Sequence, residues 1–426
     1  MNLIKKGLLL SLMILPLCAF AQSAKVGDDV LRETLYDHSA FVNIPNLPQN
    51  KDLMMKNIDR VASRYEALGF STSLLETATL PLLLTEKQYD PGLKTILFYF
   101  HIDGQPVDAK AWDQPDPFSS VLKRPDKDGK WQTIPWDRLE GPIDDEWRIF
   151  ARAAADDKAP ITMFLKALEI MQEVGETPAF NIKVIFDPEE EYGSKALLST
   201  LSQYADRYAS DYFIVMDGPS HTSNLPTLTF GCRGIATCSL TTYGARLPQH
   251  SGHYGNYVPN PVFHLSRLLA GMKDDSGKVL IEDYYKGVEI SSSTASILSA
   301  VPFDAKSLNE SLGINTSEKV GDSYQEALQY PSLNVRQLGT SWKGQGLKTV
   351  IPEYAEAFLD VRLVPEIEMK EQLERIRVHL RKQGYRVLDR DPTDAERLQY
   401  PRLVKFKVTG GVNAFRTSPE SGFGQK

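Results

Sequence analysis

Basic residues are not in surplus: 48 Lys and Arg stand against 55 Asp and Glu, a net charge of −7 over 426 residues. That excludes the ordinary basic surface of a nucleic-acid-binding protein. The mild acidity favours solubility and says little about substrate. Cysteine is scarce, with 3 in the chain, and no pair has zinc-finger spacing. Beyond the N-terminal apolar run only Cys232 and Cys238 remain. They read as lying on one extended strand, too far apart along it to bond, and both are expected as buried thiols. After residue 21 no run is long and apolar enough to span a bilayer, so no membrane partner is expected. There is no internal repeat and no low-complexity segment.

What is present fits a folded chain of more than one core. A hydrophobic content of 42% over 426 residues is ample for two domains. At the N-terminus Lys5 and Lys6 precede an apolar run from Gly7 to Ala21, ending Ala19-Phe20-Ala21 before polar Gln22. Charge, apolar run and small-residue cleavage site together describe a signal peptide over residues 1–21, and a secreted or periplasmic protein.

The periodicity predicts a helix from Asp52 to Leu68 and a buried strand from Thr95 to Phe100. A long polar stretch follows, Gly104 to Arg148. Then come a helix (Lys158 to Val174), a strand (Asn181 to Phe186), a helix starting near Gly193 and a strand (Tyr212 to Met216). Strands and helices alternating at these lengths give a parallel sheet with helical crossovers. From about Gly231 the pattern changes. Alternating runs at Thr237 to Thr242 and Ala357 to Val364, with helices near Asn260 to Met272 and Ile367 to Gln383, predict a second, α+β domain.

Each predicted strand of the first domain runs into groups that bind cations. The first leads to His101-Ile102-Asp103. Asp156-Asp157-Lys158 stands before the second helix. Glu189-Glu190-Glu191-Tyr192-Gly193-Ser194 follows the second strand, and Asp217-Gly218 ends the third. Singly, an Asp before a helix is usually a cap and three glutamates a solvated loop. Together they differ, because ligands of open α/β sheets bind beyond the carboxyl ends of the strands. A purely structural domain has no need of several carboxylates and an imidazole there.

In order and spacing, His101-x-Asp103, Ala155-Asp156-Asp157-Lys158, Glu190-Glu191-x-Gly193-Ser194 and Asp217 resemble the zinc metallopeptidase family of aminoacylases, carboxypeptidase G, acetylornithine deacetylases and carnosinases. Gln249-His250-Ser251-Gly252-His253 and Asn260-Pro261 resemble that family's lid motif. Gln105-Pro106 and Trp112 fit its dipeptidase branch. The resemblance implies a parallel-sheet catalytic domain with an inserted α+β lid or dimerisation domain. The expected boundaries are 22–230 for the first part of the catalytic domain, 231–389 for the lid, and 390–426 for a return to the catalytic domain.

It further implies two divalent ions, zinc by likeness, with manganese or cobalt also suited to oxygen and nitrogen ligands. His101 and Asp217 would hold one ion, Glu191 the other, and Asp156 both. Asp103 would hold the imidazole of His101, Glu190 would be the general base, and His250 would stabilise the oxyanion. Arg362 would bind a substrate carboxylate. Between the neighbouring glutamates, the Glu-Glu-x-Gly-Ser frame selects Glu190 and Glu191 and leaves Glu189 a spectator. The peptide bond between Asp156 and Asp157 is expected to be cis. The implied reaction is hydrolysis of the amide bond of a dipeptide or an N-acyl amino acid, by a homodimer.

One departure bears on this expectation. The family supplies a further histidine ligand near its C-terminus, whereas no histidine follows His379 here. The chain is therefore expected to stop short of that ligand, with impaired metal binding at the Glu191 site. That departure supports a reading of another class, an inactive family member that binds small peptides or only dimerises. A metal-dependent phosphoesterase also uses His and Asp at strand ends, but the Glu190-Glu191 pair and His250 argue against it.

Overall fold

The structure, a computed structural model, describes residues 27–218, 221, 223, 225–342 and 349–425. The expected signal peptide lies outside the described residues. No described helix is long and apolar enough to cross a membrane. The described residues form two compact units that divide between Gly218 and His221.

The first unit opens with helices α1 (Asp28–Val42) and α2 (Lys51–Ala67), then strands β1 (Ser71–Leu75), β2 (Leu82–Lys87) and β3 (Thr95–His101). Strands β4 (Val121–Pro125), β5 (Trp131–Ile134) and β6 (Arg148–Phe150) precede helix α3 (Lys158–Glu173) and strand β7 (Asn181–Asp187). Helices α4 (Lys195–Thr200) and α5 (Ala205–Tyr208) lead to strand β8 (Tyr212–Val215). The main sheet has the order β1-β2-β7-β3-β8. Its strands β7, β3 and β8 are parallel, as the alternation of strand and helix predicts, and β1 and β2 extend it as an antiparallel hairpin.

Both faces of the central strands β3 and β7 are covered, so these read as continuous apolar runs. On one face Tyr65 of α2 packs edge-on against Phe186 of β7, with ring centroids 5.4 Å apart. Phe164 of α3 meets Phe100 of β3 at 5.6 Å. On the other face Leu84, Leu97 and Ile185 form a core with Leu197, Tyr204 and Tyr208. The polar stretch after residue 104 is not one loop: β5, β4 and β6 form a small antiparallel sheet.

The second unit begins with β9 (Gly231–Cys232), β10 (Gly234–Tyr243), β11 (Gln249–His250), α6 (Ser251–Tyr254) and α7 (Pro261–Ala270). Next come α8 (Ser292–Ala300), α9 (Ala305–Leu312), α10 (Tyr324–Ala327), β12 (Ser332–Thr340), β13 (Val350–Ile351) and β14 (Tyr354–Leu363). The unit ends with α11 (Met369–Lys382), β15 (Arg386–Leu388), α12 (Asp394–Gln399), β16 (Leu403–Val412) and β17 (Phe415–Arg416). Its sheet has the order β12-β14-β10-β16-β15. One face carries Cys238, Leu240 and Leu359 into a core closed by Leu265 and Leu268 of α7 and Ile376 and Leu380 of α11.

Two expectations are corrected here. Residues 390–426 do not return to the first unit. β16 pairs with β10 from Thr242↔Val404 to Ile235↔Val412, and Leu403, Val404 and Phe406 are buried. Burying those side chains in the second core is what draws this segment there. The cysteines are both free, but only Cys238 is buried; Cys232, on the separate short strand β9, is exposed. His379, the last histidine of the chain, is buried on α11.

Candidate metal centre

Parallel strands end at one edge, and the register decides which ends are level. Tyr99 of β3 pairs with Val215 of β8, and His101 with Asp187 of β7. Two residues beyond Val215, Asp217 therefore comes level with His101. The fourth contribution comes from the loop before α3, whose Asp156–Asp157 peptide bond is cis.

His101 is 1% exposed. Its Nδ1 lies 3.2 Å from the main-chain oxygen of Asp103 and 3.3 Å from Asp103 Oδ1. Both neighbours are acceptors, so Nδ1 carries a proton, and it is Nε2 that would give up its own proton and turn a lone pair to a cation. Nε2 lies 2.8 Å from Asp156 Oδ1 and 3.8 Å from Asp217 Oδ2. Ligand atoms of His101, Glu190 and Asp217 all lie within 4.8 Å of one another.

The glutamates are placed by a short 3-10 turn, Glu190–Tyr192, closed by Gly193 at φ 92, a conformation that favours glycine. Asp103, fully buried, anchors that turn. It accepts the backbone N–H of Glu190 on Oδ1 at 3.0 Å and that of Glu191 on Oδ2 at 3.1 Å. Glu190 joins the cluster with His101 and Asp217. Glu191 accepts a hydrogen bond on Oε2 from the amide of Gln105 at 2.5 Å. Glu189 is held by the hydroxyl of Thr79.

Electrostatics follow from crowding carboxylates at a half-closed edge. Burial raises the pKa of Glu190, the charge on His101 opposes it, and Asp217 and Glu191 add to it. Burial likewise raises Asp217, opposed by His101 and helped by Asp156. For His101 burial works against the charge, but the bond to Asp103 and the fields of Asp157 and Asp217 outweigh it, so its pKa is raised. Carboxylates whose charge is disfavoured by burial and by one another are suited to receive a cation.

Three supporting residues carried no role in the sequence reading. Asp157, 1% exposed, accepts the backbone N–H of His101 at 3.0 Å and so fixes the end of β3. Lys158, fully buried, donates to the carbonyls of Phe41 at 3.0 Å and Ile44 at 2.7 Å, tying the start of α3 to the last turn of α1 and the loop after it. Gln105 holds Glu191. The Asp-Asp-Lys and Gln-Pro patterns were visible, but these contacts run to backbone or to distant side chains, which spacing does not reveal.

His250 and Arg362 belong to the second unit. His250 ends β11, paired with Val350. Arg362 lies on β14, half exposed, its Nε 3.4 Å from Asp360 Oδ1. His221 bonds to Ser223 and Gln325 in that same unit.

An imidazole and carboxylates gathered at the strand ends of an α/β sheet, with a separate α+β unit, define the class: a metal-dependent hydrolase. Comparison with known proteins makes this specific. Residues 97–248 match the profile described as peptidase family M20/M25/M40, and residues 230–387 match the peptidase dimerisation domain. The chain belongs to this peptidase family. It is 26% identical over 340 residues to a Cys-Gly metallodipeptidase of Schizosaccharomyces pombe, covering 78% of this chain and 67% of that protein. It is 29% identical over 308 residues to the Beta-Ala-His dipeptidase of Mus musculus, covering 70% of this chain and 58% of that protein. Among solved structures, an M20 family metallo-carboxypeptidase from Sulfolobus solfataricus superposes with a TM-score of 0.67 at 25% identity, covering 92% of this chain and 81% of the other. Human carnosine dipeptidase 1 shares the fold, with a TM-score of 0.65 at 21% identity, covering 92% of this chain and 80% of the other.

The donor set fits the divalent metal that this family uses. Imidazole and carboxylate oxygens suit zinc and its first-row neighbours. The Nδ1 bond from His101 to Asp103 is the outer support that metal-binding histidines ordinarily have.

Proposed function

We propose that this protein is a metal-dependent dipeptidase that works as a homodimer. The observation that carries the reading is the convergence of His101, Glu190 and Asp217 at the carboxyl edge of the sheet. The kinship with a Cys-Gly and a Beta-Ala-His dipeptidase supports dipeptides over N-acyl amino acids as substrates.

In this reading His101 and Asp217 would hold one ion and Glu191 another, with Asp156 a ligand available to each; zinc is the metal we propose. When bound, such ions supply Lewis acidity and make water a usable nucleophile at neutral pH. The protein's own residues do the rest. Glu190, its carboxylate made more basic by burial, takes a proton from the attacking water. Oxygen bonds to the carbonyl carbon, the C–N bond breaks, and Glu190 returns the proton to the leaving amine. Asp103 keeps Nδ1 of His101 protonated. His250 donates to the carbonyl oxygen as negative charge builds there, and Arg362 pairs with the substrate's terminal carboxylate.

The test is hydrolysis of Cys-Gly, β-Ala-His and an N-acetyl amino acid by chelator-treated protein, before and after zinc or manganese is restored. The reading expects release of free amino acids from a dipeptide only with metal present. Metal-independent cleavage, or no cleavage of any dipeptide with metal restored, rejects it.

A further inference from the structure

The lid histidine sits in a local device that sets where its proton lies. His250 caps α6, and its ring nitrogen Nδ1 accepts the backbone N–H of Gly252 at 3.0 Å. A backbone N–H can only donate, so Nδ1 must present its lone pair. The proton of a neutral imidazole then has to sit on Nε2. The Nε2 edge faces the hydroxyl of Thr349 at 3.4 Å, a long and weak contact that leaves this N–H free to be given elsewhere.

The residue type at position 252 is part of the device. A Cβ placed there would lie 2.8 Å from Cε1 and 3.0 Å from Nδ1 of His250. The ring lies so close over the turn that only glycine leaves room for it. The backbone is fixed as well. His250 pairs with Val350, and the N–H of Ser251 donates to the carbonyl of Thr349 at 2.9 Å. The backbone on either side of the capped turn is thus held by the β11–β13 pair.

We propose that Gly252 is a positioning residue that locks neutral His250 as the Nε2–H tautomer, a hydrogen-bond donor and not an acceptor at its outer edge. A group meant to meet a developing oxyanion must donate, and a tautomer set before substrate arrives costs nothing at the moment of reaction. The consequence for catalysis rests on the reading of His250 as the oxyanion donor; the tautomer itself does not.

The experiment is ¹⁵N NMR of the full chain labelled at histidine, free of metal and substrate, with His250→Gln to assign the resonance. Wild type is expected to show His250 with Nε2 protonated and Nδ1 bare. Thr349→Val is expected to leave that pattern, and Gly252→Ala to give a mixture of tautomers. In turnover with metal restored, Gly252→Ala should lower kcat about tenfold, within what one oxyanion donor is worth, and leave KM within about twofold. An Nδ1–H tautomer in wild type overturns the proposal, as does an unchanged Nε2–H pattern in Gly252→Ala. Wild-type turnover in His250→Gln removes the oxyanion reading instead, while the spectra still decide the lock.

Discussion

One oxygen of the buried Asp103 carboxylate accepts the backbone N–H of Glu190 at 3.0 Å and lies 3.3 Å from His101 Nδ1. A single group thus fixes the tautomer of the candidate ligand and the position of the candidate base. Two strand ends far apart in sequence, β3 and the turn after β7, are held in one frame by it.

Asp103→Asn keeps the shape but takes away the charge and one acceptor. Its amide group cannot receive both glutamate N–H groups, and it loses the attraction for the imidazole proton. Zinc affinity should fall about 10–100-fold, the usual cost of an outer-shell partner. Calorimetric titration of chelator-stripped protein measures this, and equal affinity in the two proteins would contradict the role.

Glu190→Gln separates base from ligand, because the structure puts Glu190 among the groups close enough to share a cation. The account expects metal content unchanged and kcat lower by at least about 100-fold, the scale of general-base catalysis. Metal analysis and dipeptide turnover on one preparation decide it. Loss of metal would make Glu190 the ligand and reverse the assignment of the two glutamates.

The sequence made the strands legible because β3, β7 and β8 are apolar runs of the right length, each ending in a polar cluster; β3 and β7 are buried, while Phe213 and Val215 of β8 are exposed. Helices α2, α3, α7 and α11 announced themselves by period. The hairpin of β4 and β5 did not, since Trp131, Gln132 and Thr133 of β5 are exposed and offer no alternation to read. The placement of β16 was missed because the chain from Arg390 was judged by family likeness, while Leu403, Val404 and Phe406 were already a strand's worth of buried side chains. In the candidate site His101, Asp103, Asp156, Glu190 and Asp217 were all legible. Asp157 was not given its role, because that role is to receive a backbone N–H from another strand.

The hydroxyl of Tyr65 is buried without a hydrogen-bond partner among the described residues, in a side chain that is fully enclosed. An unsatisfied buried polar group costs about 1–3 kcal/mol. Tyr65→Phe removes it while keeping the ring that packs on Phe70 and Phe186. Urea unfolding should show a gain of about 1 kcal/mol; a loss would mean that the hydroxyl is satisfied in solution.

Stability should depend on His38. Its Nδ1 meets Thr162 Oγ1 at 2.9 Å and its Nε2 the carbonyl of Ala154 at 2.9 Å, inside the packing of α1 on α3. Burial lowers its pKa, a shift opposed by Ala154 and reinforced by Lys158. The unfolded chain takes up a proton near pH 6.5, where the folded one does not. Stability is therefore complete above that pH and falls as pH drops below it, by at most about 1.4 kcal/mol per pH unit. The difference in unfolding free energy between wild type and His38→Gln should shift by about 1 kcal/mol between pH 7 and pH 5.5. A difference that does not move with pH would place the folded pKa at its ordinary value.

The central claim is that the carboxylates around His101 hold a divalent cation through Nε2. Zinc titration of the chelator-stripped chain, beside its His101→Asn variant, tests this most directly. Wild type should bind saturably, and the variant should bind more than about 100-fold more weakly, since losing a ligand costs more than losing its outer support. Equal zinc affinity in the two proteins would show that the cluster at the sheet edge is not the metal site.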